Sequence, residues 1–432
     1  MSRVSAATAA RGPATLALVT LLAAPAAARS LGAQEAKGPP SELAALHDIV
    51  ASVSTERVEA DIRRLAGFGT RHTLSDTLSD ARGIGAARRW IKAQFDEISA
   101  TCGGCLEVSY QTSYVGGTER IPDTTAVVNV LAIQRGTTDP GRYVVMSGEE
   151  QGLFGGRHMA QVALDEGWRL QAILNNDMIG NIDGQNGVSD NTIARVFAEG
   201  TRADETAQVA ARRRVTGGEV DSPSRNLARF IDRLVDGYVP NPDMMMVYRL
   251  DRFGRGGHHR PFNDVGFPAV RIMEANEDYR RQHQNIRVEE GVEYGDVIDE
   301  VEFDFAAKLT AVNAISLAAM AWAPAPPRNV VLEGAVRPST TLGWDPVPAK
   351  RAPNLAGYRV YWRPTDAPQW AWSVFVGDVT SHTLENIVID NYLFGVASVS
   401  EDGYESPVVF PWPIGAYEPL QWLGRDPGPE DH

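Results

Sequence analysis

Between Arg142 and Met320 short apolar runs of strand length alternate with longer segments whose apolar residues recur at helical spacing, a rhythm that few architectures accept. Arg142 to Ser147, Leu170 to Leu174, Ile193 to Phe197, Met244 to Arg249 and Ala269 to Met273 read as strands. Gly155 to Leu164, Pro223 to Val235 and Asp296 to Met320 read as helices. Such alternation predicts an α/β fold with a mostly parallel sheet, whose chemistry collects at the carboxyl ends of its strands. Upstream, Leu43 to Leu65 and Ile84 to Ile98 read as two helices joined by the loop carrying Gly67 to Ser79. Leu106 to Tyr114 and Thr125 to Ile133 read as strands.

Three strand ends carry groups suited to metal-assisted hydrolysis. Arg142 to Ser147 runs into Gly148-Glu149-Glu150-Gln151-Gly152-Leu153-Phe154-Gly155. Side chains of adjacent residues leaving a strand diverge, so one carboxylate can hold a cation while its neighbour takes a proton from water. Taken alone, the pair reads equally as a solvated acidic turn at a helix N-terminus. Leu170 to Leu174 ends in Asn175-Asn176-Asp177-Met178-Ile179-Gly180, and Ala269 to Met273 is followed by Tyr279-Arg280-Arg281-Gln282-His283. Carboxylates and an imidazole thus follow three separate strands.

Taken together, these motifs resemble the zinc aminopeptidases of metallopeptidase family 28, of the aminopeptidase Y and bacterial leucyl aminopeptidase type. The resemblance covers roughly residues 45 to 320 and includes Gly67-Phe68-Gly69-Thr70-Arg71-His72-Thr73 and Gly257-His258-His259-Arg260-Pro261-Phe262. It implies a doubly wound, mostly parallel sheet of the zinc exopeptidase type holding two zinc ions about 3.5–4 Å apart. It further implies Glu149 as general base, Glu150, Asp177 and His283 as zinc ligands, and a peptide with a free N-terminus as substrate. His259 and Tyr279 come with it as substrate-side residues, the tyrosine through a hydroxyl that could stabilise an oxyanion or simply as a packed ring.

One departure bears on all of this. The family pattern places a His-x-Asp segment after the strand at Arg142 to Ser147 and, further on, an Asp that bridges the two metals. Here the strand runs straight into Glu149-Glu150. The chain reads as lacking one strand-helix-strand segment, and with it one His ligand and the bridging Asp. Two dications held close repel each other, and a shared carboxylate offsets that repulsion, so the second zinc ion is expected to be weakly held. Two functions therefore follow: an impaired zinc aminopeptidase, or an inactive pseudo-peptidase that binds peptides or glycans.

Arg3 and Arg11 precede the apolar run Ala14 to Ala24, and Ala26-Ala27-Ala28 fits a cleavage site, so residues 1–33 read as a signal peptide and the protein as exported, periplasmic or extracellular. No further segment is read as a membrane span. The lone pair Cys102-Gly103-Gly104-Cys105 reads as a local disulfide, because a structural zinc site would need two further ligands and no second pair exists. A net charge of −14 argues against nucleic-acid partners.

After Trp322 the pattern changes. Residues 41–322 read as the peptidase-like domain, residues 323–328 as a Pro-rich spacer and residues 329–415 as short alternating strands resembling a fibronectin type III domain. Trp344 and Tyr358 fit its core and Tyr392 its tyrosine corner. Cell-surface or glycan contact is the role such a module would add; Trp362, Trp370 and Trp372 read either as an aromatic platform for it or as packing residues. His72, His158 and His258 read as loop or helix residues that make hydrogen bonds, and Met244 to Met246 as strand residues on alternating faces.

Overall fold

The computed structural model describes residues 38–147 and 152–423. The expected signal peptide, Glu149 and Glu150 lie outside those residues. The first helical segment is split: α1 (Ala44–Ser52) ends at Val53, and the Ser54 hydroxyl accepts from Arg57 N at 3.1 Å to start α2 (Thr55–Ala66). A loop in which His72 Nδ1 accepts from Leu74 N leads to α3 (Gly83–Thr101). A disulfide between Cys102 and Cys105 closes the turn into β1 (Leu106–Val115), which pairs antiparallel with β2 (Thr125–Gln134).

The central sheet is built from β3 (Arg142–Ser147), β4 (Arg169–Asn176), β5 (Ile193–Phe197), β6 (Asp243–Val247) and β7 (Ala269–Glu274), in the order β3-β4-β7-β5-β6. All pairs are parallel except β5 with β7. Helices cover both faces, as strands with continuous apolar sequence require. On one face α1, α6 (Pro223–Tyr238) and α8 (Phe303–Trp322) bury Leu46, Leu227, Ile231, Leu309, Val312 and Ile315 against Leu174, Val196 and Ile272. On the other, α4 (Phe154–Asp165) and α7 (His259–Asp264) bury Met159, Ala163 and Phe262 against Ile173 and Ala269. Gly156 sits where α4 meets the ring of His258, and a Cβ there would lie 2.9 Å from that ring. α8 is long and apolar enough to cross a membrane, but most of it is buried in this core. Two further elements were not legible in the sequence: α5 (Ala207–Thr216) and the short hairpin of β8 (Arg287–Glu289) with β9 (Val292–Tyr294).

The sheet is interrupted where the sequence reads as short. β1 and β2 form their own two-stranded sheet, and among the described residues β3 pairs with β4 alone. β2, Thr125-Ala-Val-Val-Asn-Val-Leu-Ala-Ile-Gln134, has the near-continuous apolar composition of a strand covered on both faces, yet none of its residues is fully buried. Its end lies beside the start of β3, where Arg135 Nη1 donates to the Tyr143 hydroxyl at 3.0 Å, and Leu131 shares a core cluster with Tyr143 and Val145.

The C-terminal part is a β-sandwich of two three-stranded sheets. One contains β10 (Arg328–Glu333), β11 (Thr340–Asp345) and β14 (Ser381–Leu384); the other contains β12 (Leu355–Pro364), β13 (Trp372–Gly377) and β15 (Tyr392–Ser400). Val330, Leu342, Trp344, Tyr358, Val360, Phe394 and Val396 fill the space between them. The tyrosine hydroxyl that reaches back to backbone is that of Tyr358, which accepts from Val347 N at 2.8 Å; Tyr392, the residue expected at the corner, packs edge-on against Trp372 and Phe394. Trp370 is buried, whereas Trp372 is exposed and stacks on Trp362.

The sandwich is seated on the α/β layer rather than tethered to it. Ala323 of the expected spacer is buried, its carbonyl accepting from Arg142 Nη2 at 2.8 Å, and the Ala325 carbonyl accepts from the Ser398 hydroxyl at 2.7 Å. Beyond residue 415 the chain turns back: Arg202 donates to the carbonyls of Ala416 and Glu418, Asp204 accepts from Leu420 N, and Trp422 meets Phe267 edge-on. At the centre of the seam Asp221 accepts from Arg229 at 3.1 Å and from Arg363 at 2.7 Å, with all three side chains sealed from solvent. Unpaired, such charges would be costly to bury.

Candidate metal and catalytic site

The parallel strands β4 and β7 end side by side, with Asn176 opposite Ile272, and deliver the candidate residues to one edge of the sheet. Asp177 follows β4 directly. Its backbone N–H reaches the Ile272 carbonyl, and Met178 turns the chain away through a left-handed φ of 60°. The Asp177 side chain is largely covered, with Oδ2 2.7 Å from Nη2 of Arg271. This contact is an ion pair without hydrogen-bond alignment, since Nη2 has no aligned acceptor. Arg271 projects from the middle of β7, fully buried, and its other arm donates from Nη1 to Asp251 Oδ1 at 2.7 Å. Asp251 lies 3.4 Å from Nε2 of His259.

His259 is therefore placed differently from the expectation. Its ring has no exposed surface, and Nε2 is 2.7 Å from the Leu250 carbonyl. Burial lowers its pKa to about 4, outweighing the pull of Asp251, so the ring is neutral at ordinary pH. A side chain enclosed in this way cannot touch substrate; its ring is tied to the Leu250 carbonyl, while Asp251 holds Arg271. The sequence carried no sign of this Asp177–Arg271–Asp251–His259 series, because an arginine inside an apolar strand reads as a surface residue until the fold shows the acids on either side.

His283 arrives on a loop rather than on a strand. Glu277 anchors that loop by accepting from Arg195, from Arg252 at 2.9 Å and from Gln282 at 2.9 Å. Burial pushes the Glu277 pKa up, but the hydrogen bonds from Arg195 and Gln282 outweigh it and leave it lowered. His283 itself has a left-handed φ of 52° and an exposed ring. Partial burial lowers its pKa, Arg255, Arg120 and Arg252 add to the effect, and Asp177 opposes it. The charges around His283 are thus mainly cationic, with Asp177 the one acid acting on it. Tyr279 is exposed at the rim of the same loop.

Beside Asp177, the loop after Met178 is tied to the end of β7. Asn181 N donates to Glu274 Oε2 at 3.0 Å, and Glu274 N donates to the Met178 carbonyl. Burial pushes the Glu274 carboxyl up to about 8. The described donors available to a cation are then Asp177 and His283. Among the described residues the three-acid group able to close on an ion lies elsewhere, at Asp232, Asp236 and Asp243. Glu150, the third ligand that the resemblance implies, lies outside the described residues; two carboxylates and an imidazole match the donor types and number of one zinc ion with an open position, although the resemblance distributes them over two metal positions. They do not suffice for two ions, and Arg271 already occupies one oxygen of Asp177.

No family model matches the chain. It is similar to a probable zinc metalloprotease of Pyrenophora tritici-repentis (strain Pt-1C-BFP), with 34% identity over 427 aligned positions that take in 86% of this chain and 98% of the relative. A probable zinc metalloprotease of Pyricularia oryzae (strain 70-15 / ATCC MYA-4617 / FGSC 8958) is 35% identical, covering 85% of this chain and 84% of the relative. Among solved structures, the Legionella pneumophila LapA aminopeptidase matches 66% of this chain and 75% of its own, with 11% identity and a TM-score of 0.41. In the Pyrenophora alignment, 86% of 432 residues is about 370, against 427 positions, so the relative brings some 55 positions that have no counterpart here.

Proposed function

The chain belongs to the family of these probable zinc metalloproteases, and from that premise we propose that it is an exported zinc metallopeptidase of the aminopeptidase type, in metallopeptidase family 28, with a reduced metal centre. The observation that supports the reading is that Asp177 stands at the carboxyl end of β4 beside β7, the edge where α/β enzymes do their chemistry, with His283 on the loop that follows β7. Asp177, His283 and Glu150 would hold the ion. Bound there, zinc supplies Lewis acidity toward a peptide carbonyl and lowers the pKa of water.

The remaining work falls to the chain's own groups. Glu149 accepts a proton from the attacking water and returns it to the departing amine. Arg271, anchored on Asp251, fixes the direction of the Asp177 carboxylate; removing that anchor would let Arg271 close over both of its oxygens. The loop braced by Glu277 carries His283 and the exposed Tyr279 toward the substrate's N-terminal residue. The sandwich is assigned as a fibronectin type III-like module, which leaves surface or glycan contact as its separate role.

The unpaired edges that β2 and β3 present among the described residues support placing a shortfall between β3 and α4. A strand inserted there would lie between the unpaired edges of β3 and β2 and restore a continuous sheet, and its flanking loop is where the His-x-Asp segment and bridging carboxylate belong in the resembling family. The second reading, an inactive pseudo-peptidase, is favoured by one observation: Arg271 neutralises Asp177 from within the site. Zinc stoichiometry by elemental analysis, with an aminoacyl-anilide assay on the same sample, separates the two. One bound ion with slow turnover, abolished by Glu149→Gln at unchanged zinc content, is the expected result. Absence of both zinc and turnover would leave the pseudo-peptidase.

A further inference from the structure

Arg252 lies in the loop between β6 and α7, distant in sequence from Asp177 and His283, yet its side chain meets the neighbours of both. Its Nη1 is 3.2 Å from Met178 Sδ, 2.9 Å from Glu277 Oε2 and 3.2 Å from Gln282 Oε1. Met178 follows Asp177 directly, and Gln282 directly precedes His283. The side chain is largely covered and its Nε has no hydrogen-bond partner among the described residues, so the contacts at Nη1 fix where it lies.

The backbone shows what those contacts restrain. Met178 and His283 adopt left-handed φ values of 60° and 52°, a conformation that costs a residue carrying a side chain and persists where surrounding contacts hold it. Arg252 reaches both bends. At the second, Gln282 is held again by donating from Nε2 to Glu277 Oε2 at 2.9 Å. Glu277 in turn is tied to the sheet by Arg195 of β5, which also donates from Nε to the Glu274 carbonyl at 2.8 Å. On the Asp177 side, Arg252 N donates to Asp251 Oδ1 at 2.6 Å, the oxygen that also accepts from Arg271. Asp251-Arg252 therefore reaches Asp177 through Arg271 and Met178, and His283 through Gln282.

We propose that Arg252 is a positioning residue for the metal centre, one that sets the separation of Asp177 and His283 before an ion arrives by holding Met178 and Gln282 to one guanidinium. It rests on the zinc reading above for what those two residues bind. Charge and placement act in opposite directions here, because a cation beside a cation site repels the ion. Neutralising Arg252 tightens zinc binding if charge governs and weakens it if placement governs.

The test is zinc affinity of the full-length protein, by competition with a chromogenic chelator, together with amide hydrogen exchange of the metal-free protein. Arg252→Met should bind zinc about tenfold more weakly or worse, the size typical of losing a group that orients a ligand. Arg252→Lys, which keeps the charge on a shorter and more flexible stem, should also weaken it. Gln282→Met changes no charge, should weaken binding in the same direction, and decides the matter if Arg252→Met fails to fold. Combined with Arg252→Met it should add little, since both remove one contact. Exchange in metal-free Arg252→Met should quicken at residues 177–181 and 277–283 together. Wild-type protein without zinc overturns the metal reading and this proposal with it. Zinc in the wild type, with affinity unchanged or raised in Arg252→Met, unchanged in Gln282→Met, or with exchange faster in one segment alone, overturns the positioning role and leaves the metal reading standing.

Discussion

The C-terminal sandwich and the β1–β2 ribbon are built from similar material, alternating or continuous runs rich in valine, leucine and isoleucine, but they meet different fates. In the sandwich, Val330, Leu342, Val360, Phe394 and Val396 each have no exposed surface. In β2 the run Val127-Val128-Asn129-Val130-Leu131 stays half-buried along its whole length. Composition does not separate the two regions; neighbours do. Each sandwich strand finds a partner sheet to cover its inner face, whereas among the described residues β2 pairs only with β1 and β3 only with β4. Apolar area stabilises only when something removes it from water.

The largest expected effect comes from supplying the absent neighbour. Grafting the strand-helix-strand segment that the resembling family carries, with its His-x-Asp and bridging Asp, between Ser147 and Gly148 should raise bound zinc to two ions and turnover by about 100-fold or more. Amide hydrogen exchange at β2 and β3 should slow markedly in the graft. Unchanged exchange there would mean that the shortfall lies elsewhere in the chain.

Next in size is the seam that the sandwich possesses and the ribbon does not. Asp221→Ala strands Arg229 and Arg363 as buried, unpaired cations and should cost about 3–5 kcal/mol, measured by urea unfolding. If the loss stays below about 1 kcal/mol, water or another acceptor replaces the carboxylate and the seam is looser than drawn. The direct comparison is between two leucines. Leu342→Ala, in the sandwich core, should cost about 2–5 kcal/mol, and Leu131→Ala, in β2, about 1 kcal/mol or less. Equal losses would contradict the contrast between the regions.

A pH slope gives a separate test of burial in the α/β layer. Burial raises the Glu199 carboxyl to about 8 from an ordinary value of 4.5, with Arg202 pulling it down and Asp204 pushing it up. Between those values the unfolded chain has released the proton while the folded chain keeps it, so stability falls as pH rises from about 4.5 to about 8 and levels off above. Glu199→Gln should flatten that stretch of the stability profile in thermal unfolding. A wild-type profile already flat there would show that Glu199 ionises in the folded state.

Much of the α/β layer was legible because its strands are short apolar runs, its helices have a clear period, and Asp177 follows a strand end. The break between α1 and α2 was not, since Leu43 to Leu65 keeps an apolar rhythm across Ser54 and only the cap reveals two axes. His259 was misread for a related reason. A Gly-rich turn looks exposed in sequence, and burial was decided by β7 and α7 closing over it.

The sequence by itself determined which residues can alternate into strands and helices, where the two cysteines meet, and that strand ends would carry acids and an imidazole. Those are local properties, set by periodicity and by the reach of a few residues of chain. The tertiary structure alone decided that Arg271 stands between Asp177 and Asp251, that the Pro-rich stretch and residues 416–423 clamp the sandwich onto the sheet, and that β2 and β3 fall in separate sheets. Each depends on groups far apart in sequence being brought within a few ångströms, where charge pairing and burial act and where periodicity has nothing to say.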